Sequence, residues 1–339
     1  MNDDATAPIE LLLTQPVPEA IDAELARAYQ VHRLYQHKDA QQLLREVGPR
    51  IRGVITGGAK GLSTALMDQL PALQIIAISG IGTDAVDLQH AARRGIHVTT
   101  TPGVLTADVA DLAMGLIIST LRRLGEGERL VRDGLWGTVN PPLARKVSGV
   151  ELGILGLGQV GKAIARRAAA FDMGIAYNGR REQPETGYRY EADLVELARS
   201  VDVLVVAASA DGGEALVTAE VLDALGPDGY LINVARGKLV DEVALVDALR
   251  ERKIAGAGLD VFVDEPHVPP ALRDLDQVSL QPHRGSATLQ TRLEMGRMVL
   301  SNLEACFRGE VPPNCALPPS PASRPAQVPV GAGLPATGP

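Results

Sequence analysis

Apolar positions along the chain fall into short runs, and the stretches between them carry apolar residues three and four apart. In the first hundred residues the runs at 9–13, 54–55, 75–78 and 96–99 predict buried strands, while 20–29, 40–47, 64–69 and 85–94 predict helices. Alternating strands and helices of this kind build a parallel sheet. Pro102 interrupts the alternation. From Val104 a helical pattern continues to about Arg132 and gives way to a Pro-containing loop over 133–148. A second, more regular alternation follows, with strands expected at 152–155, 175–177, 203–207, 230–233, 256–261 and 278–280 and helices at 160–171, 193–199, 219–225 and 243–252. A last helix, 288–307, has the length to return to the first domain. The expected fold class is α/β, with two doubly wound parallel-sheet domains and the second inserted between two crossings of the chain.

Composition narrows what such a chain does. Its 339 residues suffice for two domains, and 45% hydrophobic with 22% charged residues is a globular balance. Forty-one acidic against 33 basic residues give a formal charge of −8, which argues against nucleic acid or an anionic membrane surface as the main partner. The most apolar stretch, 104–118, is interrupted by Asp108 and Asp111, so no membrane span is expected. Cys306 and Cys315 lack the spacing of a metal or redox motif; no metal site is expected, and a cytoplasmic location is the simplest. Over 318–339 seven of 22 residues are proline, the composition of a disordered tail. Aromatic residues make up only 3%, and the single Trp136 stands out in its loop.

Gly156-Leu157-Gly158-Gln159-Val160-Gly161 follows a predicted strand and opens a predicted helix, the context in which GxGxxG binds a dinucleotide. Gly156 allows the tight turn, Gly158 lets the backbone approach a pyrophosphate, and Gly161 lets helix and strand pack closely. About twenty residues on, where a carboxylate would hold the ribose hydroxyl of NAD, stand Asn178-Gly179-Arg180-Arg181. Two guanidiniums suit a 2′-phosphate, so NADP(H) is preferred and NAD(H) remains possible. Arg236, Glu265 and His283 each lie just beyond a predicted strand, where ligands bind in such sheets. Singly, each has a bland reading as a salt-bridged Arg, a loop Glu and a capping His. Together they supply what reduction of a 2-oxo acid needs: a cation for the carboxylate and carbonyl, a proton donor, and a carboxylate that favours the protonated imidazole.

These segments, with Ser79-Gly80-Ile81-Gly82-Thr83-Asp84, the run from Thr101 to Asp111, Asn233-Val234-Ala235-Arg236-Gly237, Gly258-Leu259-Asp260-Val261-Phe262, Asp264-Glu265-Pro266 and Pro282-His283, carry a family resemblance. Over about 51–311 the chain resembles the D-isomer-specific 2-hydroxyacid dehydrogenases, most of all the NADPH-dependent hydroxyphenylpyruvate, hydroxypyruvate and glyoxylate reductases. The resemblance implies a flavodoxin-like substrate domain over 1–102 and 285–317 and a Rossmann NAD(P)-binding domain over 103–284. It implies Arg236, Glu265 and His283 as catalytic residues. Cofactor contacts would come from Gly156 to Gly161, Gly179 to Arg181, Val234 to Arg236, Asp260 and Thr106. Substrate contacts would come from Gly57, Ile81, Gly82, Arg236, His283 and Trp136, the last reaching a neighbouring subunit's pocket or serving as a packing anchor. A homodimer through the Rossmann domain is expected, with a small 2-oxo acid as partner and neither nucleic acid nor membrane.

Two departures from the family pattern stand out. Arg284 follows the expected catalytic His; pointing inward it would oppose His283 protonation, although adjacency in sequence sends it outward. Ala208-Ser209-Ala210-Asp211-Gly212-Gly213 replaces a Pro- and Thr-containing loop. The same scaffold also serves formate- or phosphite-type dehydrogenases and non-catalytic nucleotide-sensing proteins, and the intact Arg236, Glu265 and His283 set argues against the latter.

Overall fold

The computed structural model describes residues 8–210 and 213–316. They divide into two compact units, one reaching Pro102 and resuming at Met295, the other Gly103–Glu294. In the first, β1 (Glu10–Leu13), α1 (Glu19–Ala28), β2 (Gln30–Arg33), α2 (Ala40–Val47), β3 (Ile51–Gly57), α3 (Thr64–Asp68), β4 (Ile75–Ser79), α4 (Leu88–Arg93) and β5 (His97–Thr99) follow one another. All neighbouring strands are parallel, in the order β2-β1-β3-β4-β5, which is the flavodoxin-like arrangement. Strands β1 and β3 are buried along nearly their whole length, as a sheet covered on both faces requires. On one face Leu12, Val54, Ile76 and Ile78 pack with Leu43 and Leu44 of α2. Asp39, Ser63 and Asp87 cap α2, α3 and α4 by accepting from the N–H groups of Gln42, Leu66 and His90.

Strand β2 has no apolar run and was not expected. It pairs with β1 at the sheet edge, and the buried Glu10 carboxylate beside it takes His32 Nε2 at 2.8 Å and Arg50 Nε at 2.5 Å.

The second unit holds α5 (Thr106–Leu121), α6 (Leu124–Arg132), β6 (Glu151–Leu155), α7 (Gln159–Ala169), β7 (Gly174–Asn178), β8 (Arg189–Tyr190), α8 (Leu194–Arg199), β9 (Val203–Val206), α9 (Ala219–Leu225), β10 (Tyr230–Asn233), α10 (Glu242–Arg250), β11 (Gly256–Leu259), α11 (Pro270–Arg273) and β12 (Val278–Leu280). Its seven strands are parallel in the order β12-β11-β10-β9-β6-β7-β8, a Rossmann-type sheet whose order reverses between β6 and β9. The doubly wound α/β fold class read from the pattern is thus present in both units.

Two boundaries differ from expectation. The single helix expected over 104–132 is two, because Arg123 adopts a left-handed conformation (φ 53°) that ends α5. The return to the first unit falls at Met295, inside α12 (Leu289–Phe307), rather than at Gly285. Residues 285–294 stay with the second unit: Gly285 N donates to Asp260 Oδ2 at 2.8 Å, and the Thr288 hydroxyl donates to Asp108 of α5. The tail expected over 318–339 lies outside the described residues, as do Asp211 and Gly212.

Candidate active site

The fingerprint turn sits at the C-terminal end of β6, at the point where the strand order reverses. Gly156 has φ 98°, and a Cβ there would stand 2.6 Å from Ala208 Cα, so the close approach of the β6 and β9 loops requires glycine. At Gly161 a Cβ would lie 2.1 Å from Gly156 O, which only the bare backbone avoids. Gly158, by contrast, faces open space at the N-terminus of α7, leaving its backbone accessible to a ligand. The Thr106 hydroxyl donates to Gln159 Oε1 at 3.4 Å, which brings these two expected contacts together. Leu157 is buried; its carbonyl accepts from Gln183 Nε2 at 3.0 Å, and the Tyr177 hydroxyl accepts from Gln183 N at 2.5 Å, so the turn after β7 is tied to the fingerprint loop. In that turn Gly179 faces open space, and Arg180 and Arg181 are exposed. Arg180 Nη2 donates to Ser209 Oγ at 3.3 Å across the end of β6.

The other chemistry-bearing residues follow β10, β11 and β12, which are neighbours in the sheet. The Val234-Ala235-Arg236 turn is held by a residue that the sequence reading did not single out. Buried Asn233 accepts from Ala235 N at 3.0 Å through Oδ1 and donates to Arg236 O at 2.9 Å through Nδ2. A buried amide ending an apolar strand was the available signal. A Cβ at Gly237 would stand 2.0 Å from the Phe262 carbonyl carbon, so the loops after β10 and β11 touch backbone to backbone. That contact sets Arg236, whose Nη1 donates to Ala235 O at 2.8 Å, near the Glu265 loop.

Glu265 Oε1 accepts from Phe262 N at 3.1 Å, and Oε2 lies 2.7 Å from His283 Nδ1. Burial works to raise the Glu265 pKa, but the His283 hydrogen bond and charge, the Phe262 N–H and the Arg236 charge outweigh it, and the net shift is downward. An ionised Glu265 only accepts, so Nδ1 is the donor and Nε2 is the imidazole nitrogen left for another partner. His283 itself has φ 51°, an uncommon conformation for a side chain of this size. It is held there by Asp260, which is 1% exposed. Asp260 O accepts from His283 N at 2.8 Å, and its carboxylate accepts from Arg284 N at 2.6 Å and Gly285 N at 2.8 Å. Burial raises the Asp260 pKa, and the two backbone donors partly offset this. The Arg284 side chain is exposed.

Gly57, Ile81 and Gly82 belong to the first unit. Gly57 ends β3, paired with Ser79 at the end of β4, and Ile81 and Gly82 follow two residues later, Ile81 exposed. Trp136 lies in the loop after α6 and is 80% exposed. Among the described residues no group of three His, Cys, Asp or Glu side chains is placed to hold a metal ion, and no helix is long and apolar enough to cross a membrane.

The family model for the D-isomer specific 2-hydroxyacid dehydrogenase NAD binding domain matches residues 114–285. The chain is 40% identical over 299 residues to a 2-ketogluconate reductase of Gluconobacter oxydans (strain 621H), covering 88% of this chain and 95% of that protein. It is 43% identical over 303 residues to a hydroxyphenylpyruvate reductase of Plectranthus scutellarioides, covering 89% and 97%. A crystal structure of an NADPH-dependent glyoxylate/hydroxypyruvate reductase from Sinorhizobium meliloti, in complex with NADP and malonate, matches with TM-score 0.84 and 41% identity, covering 91% of this chain and 97% of that one. With a fingerprint loop at the switch point and likeness along nearly all its length, the chain belongs to the D-isomer-specific 2-hydroxyacid dehydrogenase family and is an oxidoreductase that uses a nicotinamide cofactor to reduce 2-oxo acids.

Proposed function

We propose that the chain is an NADPH-preferring reductase that converts glyoxylate, hydroxypyruvate or an aryl pyruvate to the D-2-hydroxy acid, with Arg236, His283 and Glu265 as its catalytic machinery. The observation that carries this reading is the Glu265–His283 pair at 2.7 Å, which fixes the imidazole with Nε2 uncommitted and with Arg236 close enough to act on Glu265. Arg236 binds the substrate carboxylate and polarises the carbonyl. His283 Nε2 gives its proton to the carbonyl oxygen, and Glu265 holds Nδ1–H throughout. NADPH, when bound there, would supply the hydride for C2.

The open backbone at Gly158 and Gly179 fits a dinucleotide. Gly156 to Gly161 and Thr106 would hold its pyrophosphate end, Arg180 and Arg181 the 2′-phosphate, and Val234 to Arg236 with Asp260 the nicotinamide end. Ile81 and Gly82 would receive the substrate carboxylate on backbone amides, with Gly57 opposite. Exposed Leu124, Val131, Leu135, Trp136, Val139 and Leu143 support a homodimer through the second unit, with Trp136 as the residue offered to the neighbouring subunit. Both cysteines are free thiols, in keeping with a cytoplasmic location.

Initial rates with NADPH and with NADH against glyoxylate, hydroxypyruvate, pyruvate, phenylpyruvate and 2-ketogluconate test the reading. The expected result is turnover with a lower KM for NADPH. A clear NADH preference overturns the role given to Arg180 and Arg181, and no turnover of any 2-oxo acid overturns the function.

A further inference from the structure

Arg180 and Arg181 stand in the turn after β7 between two anchored residues, all within the second unit. On one side the Tyr190 hydroxyl donates to Gly179 O at 3.1 Å. Glycine leaves the backbone free to turn there, so that bond alone does not fix where the two guanidiniums stand. On the other side Gln183 is held at its N–H, its carbonyl and its side chain. The N–H donates to the hydroxyl of Tyr177, a fully buried residue of β7, at 2.5 Å. The carbonyl accepts from Thr186 N at 3.1 Å and from the Thr186 hydroxyl at 2.8 Å. Pro184 keeps the Gln183 backbone out of the helical region (φ −130°, ψ 74°). The half-buried carboxamide then donates through Nε2 to Leu157 O at 3.0 Å. Leu157 lies between Gly156 and Gly158, so this bond joins the turn that carries the arginines to the fingerprint turn whose backbone is open to a pyrophosphate. The Lys162–Glu185 pair, exposed and 3.7 Å apart, also spans the two segments, but surface pairs of this kind contribute little.

We infer that Gln183 is a positioning residue that sets the preference for NADPH over NADH, by holding the Arg180–Arg181 turn at a fixed separation from the fingerprint turn. The inference rests on the NADPH reading given above. The 2′-phosphate and the pyrophosphate are carried by the same ribose of NADPH, so the distance between them varies little, and the two turns that receive them must keep a matching distance. Guanidinium–phosphate recognition is paired and directional, so a turn that drifts loses much of it. NADH carries only a hydroxyl at that position and is insensitive to where the guanidiniums stand.

Fluorescence titrations of the full chain with NADPH and with NADH, without substrate, provide the test. Gln183→Met keeps length and volume and removes the donor to Leu157 O, while both arginines remain. The Kd for NADPH is expected to rise about tenfold, the scale of one hydrogen bond, with the Kd for NADH within about twofold of wild type. A ratio of the two constants unchanged from wild type, whether neither rises or both rise alike, overturns the inference, because a purely structural role weakens both cofactors equally. Should Gln183→Met not fold, Tyr177→Phe decides: it releases Gln183 N at the same end of the turn, and an unchanged ratio there also overturns the inference. In those cases the wild-type chain still prefers NADPH. A wild-type chain that binds NADH at least as tightly as NADPH instead overturns the role given to Arg180 and Arg181, and the inference with it.

Discussion

Glu265 is where burial and charge oppose one another most directly in the proposed site. Its folded-state pKa lies below the ordinary 4.5 despite burial, because His283, Phe262 N–H and Arg236 favour the ionised form. A carboxyl whose pKa is depressed by folding stabilises the folded chain above its unfolded pKa, and that contribution is lost as pH falls through the depressed folded value. Glu265→Gln should therefore be less stable than wild type at neutral pH in urea titrations. The difference should close as the pH drops below the ordinary carboxylate range. The same variant no longer compels Nδ1 to donate, and kcat should fall about 100-fold, while the NADPH dissociation constant stays within about twofold. A kcat within about threefold of wild type would remove Glu265 from the positioning of His283. Arg236, Glu265 and His283 could be proposed from the sequence because each lies within six residues of the end of an apolar strand. Asn233 and Gln183 could not, because their meaning lies in partners: one reads as the polar end of a strand, the other as a loop residue before a proline.

At the scale of elements, the packing of α5 on β11 shows what small residues accomplish. A Cβ on Gly258 would meet Ile232 Cδ1 and Thr120 Oγ1 at 2.9 Å and Leu116 Cβ at 3.1 Å. The helix lies directly on the strand because nothing projects between them. Gly258→Val should push α5 off the sheet and cost about 1–3 kcal/mol, measured as a lowered urea midpoint. An unchanged midpoint would mean that the helix moves aside freely. Helix and strand periodicity located nearly every element to within a few residues. It missed β2, an edge strand without an apolar run, β8, only two residues long, and α11, a helix of four residues. It also merged α5 with α6, since the break is a conformation adopted by Arg123 and no Gly or Pro marks it.

For the whole molecule, the apolar residues exposed between Leu124 and Leu143 bear on assembly. If they form the proposed homodimer interface, sedimentation should give twice the 35.7 kDa chain mass, and Val131→Asp with Leu135→Asp should shift the species toward monomer. A monomeric wild type at micromolar concentration would exclude that interface. Periodicity, the fingerprint and strand-end chemistry are local properties, so the sequence by itself determined the α/β class, the two sheets, the dinucleotide turn and the three residues proposed for catalysis. Strand order, the backbone contact at Gly237, the clamp of Asp260 on His283 and the tie of Gln183 to Leu157 were decided only by the tertiary structure. Each joins residues far apart in the chain, and the energy of such a contact depends on distances of a few ångströms that no local pattern encodes.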